Sequence, residues 1–231
     1  MTTLGIVGGI GPESTVEYYR GVVATYREQR PDGSYPSIVI NSIDFKRMLA
    51  LLTAEDLTGL TAYLLAEIQN LARAGAEVGL LAANAPHIVF DALQRESPIP
   101  LVSIVEATCK AAKGLGLTRL GLFGVGFTMR ARFYPEVFSR EGITLIVPND
   151  LEQAYIHDKY LNELIPGVFL PATRDRLLAI ADRLIDEEHI DGLILGGTEL
   201  PLILREASYR GIPLLDTTRI HVGAAVARLI T

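Results

Sequence analysis

The sequence predicts an α/β fold built from two similar halves, on three observations. Short apolar runs bounded by Gly, Pro or Asn alternate with longer helical patterns along the 231 residues, as strands and helices do in a mostly parallel sheet. The opening run Leu4-Gly5-Ile6-Val7-Gly8-Gly9 is matched in style by Leu120-Gly121-Leu122-Phe123-Gly124-Val125. Further along, Val78-Gly79-Leu80-Leu81-Ala82-Ala83 is matched by Asp191-Gly192-Leu193-Ile194-Leu195-Gly196-Gly197.

The strands are expected at Thr3 to Val7, Ser37 to Asn41, Val78 to Ala82, Leu101 to Ser103, Arg119 to Phe123, Thr144 to Val147, Gly192 to Leu195 and Pro213 to Leu215. Leu57, Leu60, Leu64, Ile68 and Leu71 recur three or four apart, which predicts an amphipathic helix from Leu57 to Ala74, and Ala179 to Ile185 repeats the pattern. Each half places an aromatic pair on the helix after its first strand, Tyr18-Tyr19 and Phe133-Tyr134, and a second strand follows, ending at Asn41 and at Pro148. The helix near Thr217 to Ile230 is expected to return and cover the first half. The lobes are therefore placed at residues 1–103 with 212–231, and at 104–211. Two such lobes facing each other would set positions 83 and 197 on opposite walls of a crevice at the strand carboxyl ends.

With 49% hydrophobic residues the chain can bury a sizeable core. Its net charge of −6 and scattered cations give no basic footprint, which argues against nucleic acid and for a small-molecule partner. The single cysteine, Cys109, rules out an internal disulfide and suits a reducing cytoplasm. Its place in Val105-Glu106-Ala107-Thr108-Cys109-Lys110-Ala111-Ala112 reads as a buried helix face away from the site segments. The opening residues lack the pattern of a secretory signal, and no 18-residue apolar run marks a membrane span. The four histidines have no metal-ligand spacing, His157-Asp158 alone being weak, and no Gly-x-Ser-x-Gly elbow is present. No metal or cofactor is expected.

Gly8-Gly9-Ile10-Gly11-Pro12-Glu13-Ser14-Thr15 follows a strand and opens a helix, a place where free N–H groups and the helix dipole can hold an anion. Ser14 stands where a dinucleotide fingerprint has its third glycine, and no P-loop lysine follows. A carboxylate fits the loop better than a phosphate, with a turn that needs glycine for backbone reasons as the competing reading.

This loop, together with Asn84 and His87 in Leu81-Ala82-Ala83-Asn84-Ala85-Pro86-His87 and with Leu195-Gly196-Gly197-Thr198-Glu199-Leu200-Pro201, resembles the three motifs of the aspartate/glutamate racemase family, in order and over nearly the whole chain. The resemblance implies two pseudo-symmetric flavodoxin-like lobes with a cleft between them. It also implies a homodimer that acts on a small amino acid without pyridoxal phosphate or any other cofactor. In that family each site segment carries a cysteine, one removing the α-proton and the other delivering a proton to the opposite face. Here those positions are Ala83 and Gly197, which have nothing to transfer. Losing one positioned acid–base group costs about 100- to 10,000-fold, so racemisation by the family's route is expected to be very weak.

Of the remaining positions, Gly9, Gly11, Pro12, Asn84, Ala85, Thr128 and Thr198 are candidates for substrate contact. Arg47 follows the second strand, where acidic-substrate members have an arginine that could grip a carboxylate in bidentate fashion, with a solvated surface arginine as the alternative. Lys159 is the candidate for a second cation. Glu199 is the candidate acid–base group beside the missing thiols, and His87 is either a titrating group or a packing residue. Three functions stand open: a racemase of aspartate, glutamate or a similar acid; a ligand-binding or regulatory protein that kept the pocket; and a lyase or decarboxylase with another proton donor.

Overall fold

The computed structural model describes residues 2–230 and divides the chain into two units, one running to Ile104 and resuming at His221, the other spanning Val105–Ile220. In the first, β1 (Thr3–Gly8) leads through α1 (Pro12–Gln29) to β2 (Ser37–Ser42), then α2 (Phe45–Thr53) and α3 (Leu57–Arg73) to β3 (Val78–Leu81). A 3₁₀ turn (Ala85–Val89) and α4 (Phe90–Glu96) precede β4 (Leu101–Val102). All four strands are parallel, in the order β2-β1-β3-β4. β1 and β3 are the central strands and are buried on both faces, which is why they read as unbroken apolar runs, whereas edge strand β2 alternates with exposed positions.

The second unit repeats that wiring. After α5 (Ile104–Gly114) come β5 (Arg119–Gly124), α6 (Gly126–Arg130), α7 (Phe133–Arg140), β6 (Thr144–Ile146) and α8 (Asp150–Lys159). A π-turn (Tyr160–Leu164) and α9 (Pro171–Glu188) lead to β7 (Gly192–Gly196), α10 (Leu200–Ile203), β8 (Ser208–Tyr209), β9 (Ile212–Asp216) and α11 (Thr217–Leu229). The order β6-β5-β7-β9 matches β2-β1-β3-β4, with β8 added as an antiparallel edge. Both sheets thus reverse direction between their first and third strands, the point where open α/β sheets take ligands at the strand carboxyl ends.

Every predicted strand is present within about two residues of its expected ends, and the internal correspondence is a topological one. The lobe boundary is corrected. Residues 212–220, expected with the first half, belong to the second, because β9 hydrogen-bonds to β7 through Leu193↔Leu214, Ile194↔Leu215 and Leu195↔Asp216. Only from His221 onward does α11 join the first unit, where Val222, Ala225 and Val226 pack with Tyr18, Val22 and Tyr26 of α1 against Leu4, Ile6, Val78 and Leu80. In each aromatic pair only one ring is core: Tyr18 and Tyr134 are buried, while Tyr19 lies outside. The helix read from Ala179 to Ile185 is the late part of α9, which starts at Pro171 because proline suits a first turn that needs no N–H. The second-half strand expected to end near Pro148 stops at Ile146.

Asp191 ties the two central strands of the second sheet together. Its carboxylate accepts Thr118 N–H at 2.7 Å, Thr118 Oγ1–H at 2.9 Å and Arg119 N–H at 3.0 Å, pinning the start of β5 to the start of β7. Hydrogen bonds to a charged group contribute about 1.5–3 kcal/mol. Loss of even one such bond in Asp191→Ala is therefore expected to lower the melting temperature by roughly 3–12 °C at about 2–4 °C per kcal/mol, read by circular dichroism, while an unchanged transition would remove this clamp from the account.

Candidate functional site

In the first unit the carboxyl ends of β1, β2 and β3 carry the glycine loop, Arg47 and the segment from Ala83. Gly9 has φ +80°, and a Cβ there would come within 2.5 Å of the Ile43 carbonyl oxygen, so the strand-to-helix turn itself demands glycine. The Gly9 N–H donates to Thr15 Oγ1 at 2.8 Å, which binds the loop to the helix it opens. Gly11 caps α1 with no side-chain hydrogen bond, and Pro12 is its first residue. The N–H groups of Glu13 and Ser14 find no backbone acceptor among the described residues, which leaves donors at the positive end of the helix dipole.

Asn84 and Ala85 open the 3₁₀ turn after β3, with Asn84 buried and Ala85 half-buried. His87 is buried and both ring nitrogens are engaged. Ile104 N–H donates to Nε2 at 3.1 Å, so the ring proton sits on Nδ1 and donates to the Ala83 carbonyl at 3.0 Å. The ring stacks on Phe90 at 4.8 Å. Burial, reinforced by the neighbouring His221 ring, holds its pKa down at about 3. His87 is therefore neutral and fixes the backbone at position 83, which decides between its two sequence readings in favour of packing. His221 is neutral too: Nε2–H donates to the Val102 carbonyl and Nδ1 accepts the Tyr18 hydroxyl, each at 2.8 Å. Arg47 on α2 is exposed, its guanidinium 4.4 Å above the Tyr63 ring, and no carboxylate pairs with it among the described residues.

The second unit brings Thr128, Gly197, Thr198 and Glu199 to the carboxyl ends of β5 and β7. Thr128 is fully buried, and its Oγ1 has no hydrogen-bond partner among the described residues. Its methyl side packs against Gly124 and Gly196, where a Cβ would meet Thr128 carbons at 2.9 and 3.3 Å. Glu199 is 2% exposed. Its Oε2 accepts the Thr198 hydroxyl at 2.8 Å and also the Tyr160 hydroxyl, and burial raises its pKa. The Glu199 N–H points back to the same phenol oxygen at 3.4 Å.

Tyr160 is the residue that the sequence reading missed. It starts the π-turn, and a Cβ built on Gly197 would fall 2.4 Å from its Cε2 and 2.7 Å from its hydroxyl oxygen. Glycine at 197 is what leaves room for that ring, and the only signal in the sequence was the glycine itself. Lys159, one residue earlier, lies 2.6 Å from Glu163 of the π-turn and 3.8 Å from Asp158, so its charge is taken by neighbours in sequence. His157 Nδ1 accepts the Gly126 N–H at 3.1 Å, and no group of three metal-ligating side chains occurs among the described residues. Cys109 is buried on α5, which raises its thiol pKa. A cavity of about 490 Å³ in the second unit opens beside Leu195, Pro201, Leu204, Arg205 and Arg219 and includes none of the candidate residues.

The sequence profile of Asp/Glu/Hydantoin racemases matches residues 7–225. The chain belongs to that family. It is similar to an aspartate racemase homologue from Pyrococcus horikoshii OT3, with 33% identity, full coverage of both chains and a TM-score of 0.84. A broad specificity amino-acid racemase of Bacillus subtilis, RacX, is 23% identical over 225 residues, covering 93% of this chain and 92% of that protein. The aspartate racemase of Picrophilus torridus shares the fold at a TM-score of 0.72, with 20% identity and coverage of 99% and 94%. No helix among the described residues of this racemase-family chain is long and apolar enough to cross a membrane.

Proposed function

We propose that this chain binds aspartate, glutamate or a similar small carboxylic acid through the loops at the strand carboxyl ends, without inverting it by a two-thiol route. The observation that carries this is the contrast at the site segments: Ala83 and Gly197 have no transferable proton, while among the described residues Arg47 stands over the Tyr63 ring with no carboxylate paired to it, Thr128 Oγ1 has no hydrogen-bond partner and the first turn of α1 keeps N–H groups with no backbone acceptor. Carboxylate recognition by an arginine, a hydroxyl and helix N–H donors is ordinary charge-assisted chemistry. In this reading the protein acts as a soluble cytoplasmic homodimer that needs no cofactor.

The test is a thermal-shift series with L- and D-aspartate, L- and D-glutamate and succinate. A ligand at 100-fold excess over its dissociation constant adds about 2.7 kcal/mol, or roughly 5–10 °C here. The expected result is such a rise with at least one of these acids, with no enantiomer formed on chiral chromatography and a dimeric mass in light scattering. No rise with any of them would defeat the binding reading.

A further inference from the structure

A Cβ at position 197 would lie 2.4 Å from Cε2, 2.7 Å from the hydroxyl oxygen and 2.8 Å from Cζ of Tyr160. The polar end of the phenol, and not merely its ring edge, thus stands where a side chain at 197 would project. Tyr160 reaches that place from the π-turn after α8, and such turns recur at functional sites because the extra residue moves a side chain out of the helical register. Space filling alone would be served by leucine or phenylalanine. Instead the hydroxyl donates to Glu199, which also accepts from Thr198, and no Lys, Arg or His pairs with this buried carboxylate among the described residues. A buried carboxylate held by two hydroxyls and its own N–H, with no cation beside it among the described residues, costs stability, which points to retention for chemistry.

Building on the binding reading above, we propose that Tyr160, backed by Glu199, is the acid–base group of this chain, standing in for a thiol at 197 and serving only one face of the bound acid. The α-carbon's proton passes to the phenol oxygen as the phenol proton passes to Glu199. The electron pair of the broken C–H bond stays on the α-carbon and its carboxylate, so no oxidant or metal is consumed. In heavy water the proton held by the phenol oxygen exchanges with solvent by way of Glu199 while the carbanion lasts, and reversal returns a deuteron to the face the proton left. A single acid–base group returns the proton only to the face it left, so configuration is kept. Burial and the adjacent carboxylate hold the phenol pKa well above its ordinary value, so the resting tyrosine is neutral and must work through Glu199.

In heavy water, L- and D-aspartate and L- and D-glutamate are each incubated with the protein, and proton NMR and chiral chromatography are read alongside the melting temperature. The acid that raises the melting temperature is expected to lose its α-proton signal with unchanged handedness. Tyr160→Phe, which keeps the ring and its packing, is expected to slow that exchange by about 100-fold or more while the ligand-induced rise persists, and Glu199→Gln is expected to slow it as well. Exchange accompanied by inversion, exchange unaltered in Tyr160→Phe, or a ligand that binds without exchange overturns the proposal. No rise with any of the four acids defeats the binding reading and this proposal with it.

Discussion

Lowering the pH from 7 to 5 is expected to cost the first unit about 4 kcal/mol of stability from two buried histidines, about 2 kcal/mol each at 1.36 kcal/mol per pH unit. His87 and His221 have folded pKa values of about 3 and about 4, with burial as the main cause, against an ordinary 6.5. Between those limits the unfolded chain takes up protons that the folded unit refuses. The stability these rings contribute is therefore whole above pH 6.5 and falls away as the pH drops toward the folded values. No carboxylate meets either ring among the described residues to favour the charged form, and protonating His221 Nδ1 would also end its acceptance of the Tyr18 hydroxyl. Carboxylates with depressed values, such as Glu152 and Asp186, add their own loss only at lower pH. Urea unfolding followed at pH 7, 6 and 5 checks this. The midpoint should fall steeply, and His221→Gln should remove about half of the slope. A flat midpoint across that window would mean that these rings are not held neutral.

Gly197→Cys, the substitution that would put a thiol back at the second site segment, is expected to lower stability and to give no racemase. The new Cβ meets a phenol that is packed in the core of the second unit and hydrogen-bonded to Glu199, so the ring cannot simply swing aside. Overpacking of this kind costs about 1–3 kcal/mol, a fall of several degrees in melting temperature. Displacing the ring also removes a donor from buried Glu199, at a further cost of about 1–3 kcal/mol. A double-mutant cycle with Tyr160→Ala is the decisive form of the test. Tyr160→Ala alone is destabilising, but Gly197→Cys on that background should cost close to nothing. An equal cost in both backgrounds would show that the two positions do not compete for the same space.

The fold was legible because its signals are local. β1, β3, β5 and β7 are buried on both faces and made of apolar residues and glycine over most of their length, so each announces itself as an apolar run. The hairpin strand β8 has two residues and no periodicity to detect. The lobe boundary was misplaced because the partner of β9 is decided by tertiary pairing with β7, which no local pattern encodes. At the site the same division holds. The glycine loop and the segments at 83 and 197 are contiguous stretches at strand ends and could be found by reading along the chain. Tyr160 could not, since it meets Glu199 across 39 residues and depends on a π-turn for its aim. His87 was ambiguous for a related reason: Ala83 is near in sequence, but the Ile104 N–H that fixes its tautomer is 17 residues away.

A family member can keep a pocket and lose one reaction when the groups that bind and the groups that move protons are different residues. In the proposed reading Arg47, Thr128 and the start of α1 bind, Tyr160 with Glu199 moves the proton, and Ala83 and Gly197 have none to transfer. The most direct measurement is chiral analysis of an acid that has first been shown to raise the melting temperature, incubated with a stoichiometric amount of protein. The account predicts recovery of the starting enantiomer alone. Accumulation of the opposite enantiomer toward an equal mixture would contradict it, since a single acid–base group returns the proton only to the face it left.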